Sequence, residues 1–154
     1  LRLVGSEMCI RDRFRVVPGY SGDIDWDPVV ANLERALSGR LALGSRLSER
    51  AATVRPRRAV SATVPAAPSV RFDDSASSNA TFLEVRAPDS FGLLHRVTKA
   101  MADLGLDIRH ARILTLGNEV VDSFYVCDAG GGKIDDKSYR TEIQRAVLHA
   151  VDGN

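Results

Sequence analysis

The segment Thr81–Gly105 reads TFLEVRAPDSFGLLHRVTKAMADLG and decides the fold. Thr81–Pro88 is rich in β-branched and aromatic side chains and predicts a strand that the proline ends. Apolar residues then recur at helical spacing from Gly92 to Leu104, and Gly105 predicts the helix end. The turn between strand and helix, Asp89–Leu94, brings backbone N–H groups and a helix N-terminus to one point, where a small anionic ligand can bind.

Two further strands and a helix are predicted downstream of this segment. The strands Ile108–Leu116 and Glu119–Cys127 are joined by a two-residue turn in which the glycine comes first, Gly117-Asn118. Asp136 is predicted to cap a last helix that ends at Gly153. The order strand, helix, strand, strand, helix is that of an α+β, ferredoxin-like domain without its fourth strand, so one sheet edge is expected to be open.

The pattern before residue 69 is more fragmentary. Residues 1–13 match neither strand nor helix periodicity and are interpreted as a non-native prefix, with the whole chain expected to be a piece of a longer protein. Phe14–Val17 predicts a short strand, and Pro28–Arg50 predicts a helix with Asp27 as its N-cap. Prolines among alanine, serine and arginine predict a linker at residues 51–68.

Composition excludes several classes of function. Hydrophobic residues make up 44% of the chain, enough for a core. Residues 73–154 hold nine basic and 13 acidic side chains, which argues against a phosphate-binding surface there, and so against nucleic acid as a partner. No apolar run approaches about 18 residues, so no membrane partner is expected. Two cysteines without metal or redox spacing favour a reducing compartment, the cytoplasm.

Asp89–Leu94, followed after the helix by Asp107–Ile113, resembles an ACT domain, the small ligand-sensing module of amino-acid metabolism. More narrowly, Ala111–Gly117, Val121–Val126 and the closing helix resemble the C-terminal end of the bifunctional PII uridylyltransferase/uridylyl-removing enzymes. Those enzymes end with two ACT domains, of which the second lacks its last strand.

This resemblance implies a division of the chain into two ACT domains. Residues 14–50 would be the remnant of a first ACT domain, 51–68 a linker and 69–73 the last strand of that first domain. Residues 80–154 would be a second, βαββα ACT domain that lacks its fourth strand. A neighbouring ACT domain or subunit is then expected to cover the open edge.

The resemblance also implies a ligand, glutamine or another small amino acid. Its site would comprise the turn residues Asp89, Ser90, Phe91, Gly92, Leu93 and Leu94. Asp107 would contact the ligand, often across a domain interface, although a simple turn role is an alternative. Asp89 would contact the ligand's ammonium group or only cap the helix. Family members commonly carry Arg-Pro where this chain has Ser90-Phe91, so Ser90 is expected to share any capping with Asp89.

No nucleophile and base pair, phosphate loop or His-Asp dipeptide occurs, so no catalytic motif and no cofactor are expected in this chain. The parent enzyme implied by the resemblance is a nucleotidyltransferase and phosphodiesterase that uses Mg and acts on the PII signal protein. An ACT regulator of an amino-acid-biosynthesis enzyme, or a standalone ACT protein, is the alternative. An RNA-binding module of the same strand order would need a Lys/Arg-Gly-Phe-Gly-Phe-like third strand, which is absent.

Overall fold

The computed structural model describes residues 24–53 and 67–153. The chain separates into two units, one ending at Leu43 and one running from Gly44 onward. The predicted prefix and the predicted strand Phe14–Val17 lie outside the described residues, as do residues 54–66 of the predicted linker.

The sequence predicts one continuous helix over Pro28–Arg50, and its continuity is wrong, because two helices separated by a break occupy this region. Helix α1 spans Asp27–Leu37 and helix α2 spans Leu43–Thr53, which carries helix past the predicted linker start at residue 51. The break follows from Gly39, which has φ +69°, a left-handed conformation that ends α-helices. Trp26 takes the N-cap position predicted for Asp27, with Asp27 and Pro28 in the first turn.

The unit from Gly44 onward contains one antiparallel sheet. Its strands are β1 (Ser69–Asp73), β2 (Thr81–Pro88), β3 (Asp107–Arg112), β4 (Thr115–Leu116) and β5 (Glu119–Cys127). The spatial order is β1-β2-β5-β3, with β4 also pairing with β5. Helices α3 (Leu93–Asp103) and α4 (Lys137–Asp152) complete the ferredoxin-like arrangement that the sequence predicts.

The core lies between one face of this sheet and the two helices. Alternate residues of β2 and β5 point into it, because side chains along a strand alternate between its faces. The helices contribute the apolar stripes that the sequence predicts, so the buried set draws on both layers: Leu83, Val85, Phe124, Val126, Val97, Met101, Ile143 and Val147. Both α3 and α4 pack on this same face of the sheet.

The predicted open edge beside the first strand of this domain is wrong. β1 pairs antiparallel with β2 in the register Val70↔Val85 and Phe72↔Leu83, and so takes the place of the missing fourth strand. Residues 69–73, which the sequence assigned to a preceding domain, are hydrogen-bonded into this sheet. Strand pairing joins distant residues, and nothing within a five-residue strand indicates which sheet it enters.

Helix α4 anchors β1 from the core side. Gln144 donates a hydrogen bond from Nε2 to the Val70 carbonyl at 3.3 Å. The Arg140 guanidinium lies 5.5 Å from the centroid of the Phe72 ring and pairs with the Asp74 carboxylate just after the strand. This pairing lowers the pKa of the exposed Asp74 carboxyl. β1 is therefore held by hydrogen bonds, packing and charge together.

Replacing Val70 by alanine tests whether β1 belongs to the core of this domain. Val70 is 5% exposed, and losing its two methyl groups should lower the free energy of unfolding by about 2 kcal/mol. Arg71→Ala, on the exposed face of the same strand, should change it by less than about 0.5 kcal/mol. Equal effects of the two substitutions in urea titrations would contradict the assignment.

Candidate functional site

The predicted ligand turn lies where β2 leaves the sheet and α3 begins. The Asp89 N–H donates to the Asn118 carbonyl at 2.8 Å, which ties the turn to the hairpin between β4 and β5. Gly92 is the N-cap of α3 at φ +75°, a conformation that costs other residues strain. Leu93 is buried in the core, so only its backbone is available at the turn.

Several backbone N–H groups are exposed at the Asp89–Leu94 turn. The Leu93 N–H bonds to the Ser90 carbonyl at 3.1 Å. Within residues 24–53 and 67–153, no acceptor is present for the N–H groups of Phe91, Gly92 and Leu94. The first turn of α3 contains no acidic side chain to offset the positive end of its dipole. The turn therefore has unsatisfied N–H groups and a partial positive charge, both of which favour binding of an anion.

Arg96 braces the turn, a role that the sequence pattern did not predict. Its Nη1 donates to the Phe91 carbonyl at 2.9 Å, its Nη2 to the Ser90 hydroxyl at 2.9 Å, and its Nε to the Ala150 carbonyl at 2.8 Å. One guanidinium thus joins the turn to the C-terminal part of α4. The only sign of this role in the sequence is an arginine one helical turn after Gly92. Arginines at such positions are too common in helices to predict a contact with the turn.

The predicted capping by Asp89 and Ser90 is wrong. No side chain accepts a hydrogen bond from the first turn of α3. The reason is that Gly92, rather than Ser90, occupies the N-cap position, so both side chains lie too far upstream. Ser90 instead accepts a hydrogen bond from Arg96.

Asp107 does not join the turn within one copy of the domain. It begins β3 opposite Cys127, whereas the turn follows Pro88, which lies opposite Glu119. The run from Glu119 to Cys127 along β5 separates the two ends by roughly 26 Å at about 3.3 Å per residue. Asp107 is exposed and pairs with Arg109 at 3.0 Å. A shared site would need Asp107 from a neighbouring domain.

Asp122 is a second polar group that sequence reasoning missed. Its side chain is 2% exposed, on the core face of β5, and Oδ1 accepts a hydrogen bond from the Leu114 N–H at 3.3 Å. The predicted strand Ile108–Leu116 is interrupted at Ile113 and Leu114, which separate β3 from β4. The Asp122 carboxylate accepts the Leu114 N–H at this interruption. Burial raises the pKa of Asp122, and the nearby Asp89 charge raises it further. The hydrogen bond from Leu114 lowers this pKa, but by less than burial raises it.

The raised pKa of Asp122 predicts a particular dependence of stability on pH. Folding raises this pKa above its ordinary value of 3.8, so the folded protein holds the proton more tightly than the unfolded chain. The contribution of Asp122 to stability therefore falls as pH rises from 3.8 through the raised pKa. Asp122→Asn keeps an oxygen that accepts the Leu114 N–H but has no carboxyl to ionise. The decrease in stability with rising pH should therefore be absent, and the variant should be at least as stable as the parent at pH 7.

Chemical denaturation between pH 4 and pH 8 measures this effect. Asp103→Asn, at an exposed α3 position paired with Lys99, is the matched control, because an exposed ion pair contributes little to stability. Asp122→Ala, which removes the acceptor as well, should cost about 1–3 kcal/mol. A pH profile of Asp122→Asn that matches the parent would refute the assigned charge effect.

Away from this turn, metal-ligating side chains and the described cysteine were the other candidates for a site. No group of three or more His, Cys, Asp or Glu side chains within them could hold a metal ion. Cys127 is a buried free thiol that contacts the Asn79 carbonyl at 3.6 Å. None of the helices in the described part of the chain is long and apolar enough to cross a membrane.

Fold and turn together define an ACT domain, a regulatory module that binds small ligands. The family model for the ACR family N-terminal ACT domain matches residues 76–153, about half of the chain, and the chain belongs to this family.

One solved structure is also similar, titled "Crystal Structure of an Unknown Protein from Galdieria sulphuraria". It is 22% identical to this chain, with a TM-score of 0.39, and the match covers 49% of this chain. The same match covers 40% of the Galdieria protein, so this chain spans less than half of its length.

Proposed function

We propose that residues 80–154 sense an amino acid, glutamine in the first instance, at the Asp89–Leu94 turn and regulate the enzyme to which they are attached. The observation that carries the proposal is the pairing of opposite charges at this turn. Unsatisfied N–H groups and the N-terminus of α3 lie at this turn, together with the exposed carboxylate of Asp89. An α-amino acid carries a carboxylate, which suits the N–H groups, and an ammonium group, which suits Asp89.

Asp122 lies near Asp89, and the Asp89 charge contributes, after burial, to the raised pKa of the Asp122 carboxyl. An ammonium group beside Asp89 would offset that charge. Gly92 lacks a side chain, so a ligand can approach the N–H groups closely. Arg96 holds Ser90 and Phe91 in place and adds a positive charge behind the turn.

The ligand needs a second surface to be enclosed. Asp89, Ser90, Phe91 and Leu94 are all exposed in the single chain. Because Asp107 lies at the opposite end of the sheet, a neighbouring ACT domain or second copy could supply it at the turn. We therefore place the complete site at an interface between two ACT domains, where ligand binding and domain association are linked.

For the parent protein we propose a PII uridylyltransferase/uridylyl-removing enzyme, acting in nitrogen regulation on the PII signal protein with Mg at its own catalytic site. Support comes from the resemblance of Ala111–Gly117 and Val121–Val126 to that enzyme family. The matched ACT family does not itself specify such an enzyme. The alternative is an ACT regulator of an amino-acid-biosynthesis enzyme, or a standalone ACT protein. The coding sequence upstream of residue 1 discriminates between them by its catalytic motifs.

Calorimetric titration of the 154-residue chain with glutamine tests the ligand site. We expect saturable heat with glutamine and none with glutaminamide, because the amide lacks the α-carboxylate that the N–H groups would bind. Gly92→Ala should weaken binding about tenfold, or about 1.4 kcal/mol, since an alanine there strains the backbone at φ +75°.

Gly131→Ala is the matched control. It places the same strain at φ +82° in the loop before α4, and its binding should match the parent. Sedimentation of the same samples records whether glutamine promotes association. If glutamine and the other amino acids give no saturable heat at any protein concentration, the sensing proposal is refuted.

A further inference from the structure

The sheet face opposite α3 and α4 carries three aromatic rings in one row. Phe82 on β2 pairs with Tyr125 on β5, and His110 on β3 pairs with the same tyrosine. The Phe82 and Tyr125 ring centroids are 5.3 Å apart in an edge-to-face arrangement, and His110 lies 5.8 Å from Tyr125 at a tilt of 55°. Rings in this arrangement leave exposed π surface on which a further flat ring can stack.

A positive charge lies beside this row. Arg112 is the next open-face residue along β3 after His110, and it lies opposite Ser123. No carboxylate pairs with the Arg112 guanidinium among residues 24–53 and 67–153. A guanidinium without a partner is suited to bind a carboxylate or phosphate through two parallel hydrogen bonds.

The acidic groups nearest to the rings are already engaged. Glu84, next to Phe82 on the open face of β2, pairs with Arg86 at 2.8 Å. Asp73, opposite Phe82 on β1, accepts hydrogen bonds from the Ser75 N–H and hydroxyl, which lower the pKa of its carboxyl. The electrostatic balance around the rings therefore favours an anion at Arg112.

These residues line a common cavity. It has a volume of about 550 Å³ and is lined by Phe82, His110, Arg112, Ser123 and Tyr125, with no carboxylate among them. This volume is within the range of small-molecule sites, about 300–1,000 Å³, and an aromatic lining with a few polar groups is their usual composition. We propose that this face is a second ligand site, which binds a planar aromatic ring carrying an anionic group.

The site is separate from the amino-acid turn. None of its lining residues belongs to Asp89–Leu94, and the turn does not require its rings. A long nucleic acid is a poorer fit than a single ring, because residues 73–154 carry 13 acidic and nine basic side chains. The required chemistry could come from a nucleotide, with a base and phosphate, or from an aromatic carboxylate.

Nuclear magnetic resonance titration of the 15N-labelled 154-residue chain tests the site. The probes are adenosine monophosphate and indole-3-acetate, with adenosine and ribose 5-phosphate as ligands that lack the charge or the ring. We expect saturable shifts in β2, β3 and β5 with at least one anionic aromatic probe, and at least fivefold weaker binding of both controls. The tighter of the two probes identifies the source of the ligand chemistry.

Two arginine substitutions distinguish specific binding in this cavity from nonspecific attraction of an anion to positive charge. Arg112→Gln should weaken binding at least fivefold, whereas Arg109→Gln, on the same strand but paired with Asp107 and outside the cavity, should change it less than twofold. Nuclear Overhauser contacts between the probe ring and the Tyr125 or Phe82 ring in the unaltered chain give a readout that does not depend on any variant folding. Absence of saturable shifts with both anionic probes, or equal binding by Arg112→Gln, would overturn the proposal.

Discussion

The antiparallel pairing of β2 with β5 is the constraint on which the rest of the domain depends. Its register aligns Leu83 with Phe124, so that both lie in the core, and Phe82 with Tyr125, so that both lie on the opposite face. A slip of one residue would exchange the faces and expose the core. The same register lays Pro88 beside Glu119, which lets the Asp89 N–H reach the hairpin and positions the ligand turn.

Two polar side chains from different elements fix the backbone at and near that turn. Arg96 reaches it from α3 and also bonds to α4, whereas Asp122 supports the hairpin from β5. Polar groups that are buried or half-buried must find partners, and here most of the partners are backbone groups, namely the carbonyls of Phe91 and Ala150 and the N–H of Leu114. The consequence is that the conformation of the turn is linked to the packing of both helices and of the hairpin, a connection that a regulatory domain needs.

The arrangement of edges bears on assembly. β1 covers β2, so the edge expected to be open is closed, while β3 and β4 border the sheet on its other side. Ile113, Leu114 and Leu116 are exposed along that border. Exposed apolar side chains at a sheet edge are common where a second domain attaches. This agrees with our placement of the complete amino-acid site between two domains.

Local features of the domain could be predicted from its residues. The strand Thr81–Pro88, the stripe of α3 and the left-handed Gly117 follow from side-chain periodicity and backbone preferences, which act within a few residues. Asp136 caps α4 by accepting bonds from the Ser138 and Tyr139 N–H groups, as its position predicts. The ferredoxin-like order of these elements followed from their sequence order alone.

The sequence by itself therefore determined most of the strands and helices between Thr81 and Asp152, and a turn with exposed N–H groups, but neither the break in helix Pro28–Arg50 nor the break between β3 and β4. Only the tertiary structure decided that β1 joins this sheet, that Arg96 braces the turn, that Asp122 is buried and that Asp107 is remote from the turn. The Arg96 contact joins residues far apart along the chain, Arg96 and Ala150, and the others depend on how separate strands pair and pack. Local pattern carries no information about such pairs, because they form only when the whole sheet and both helices pack together.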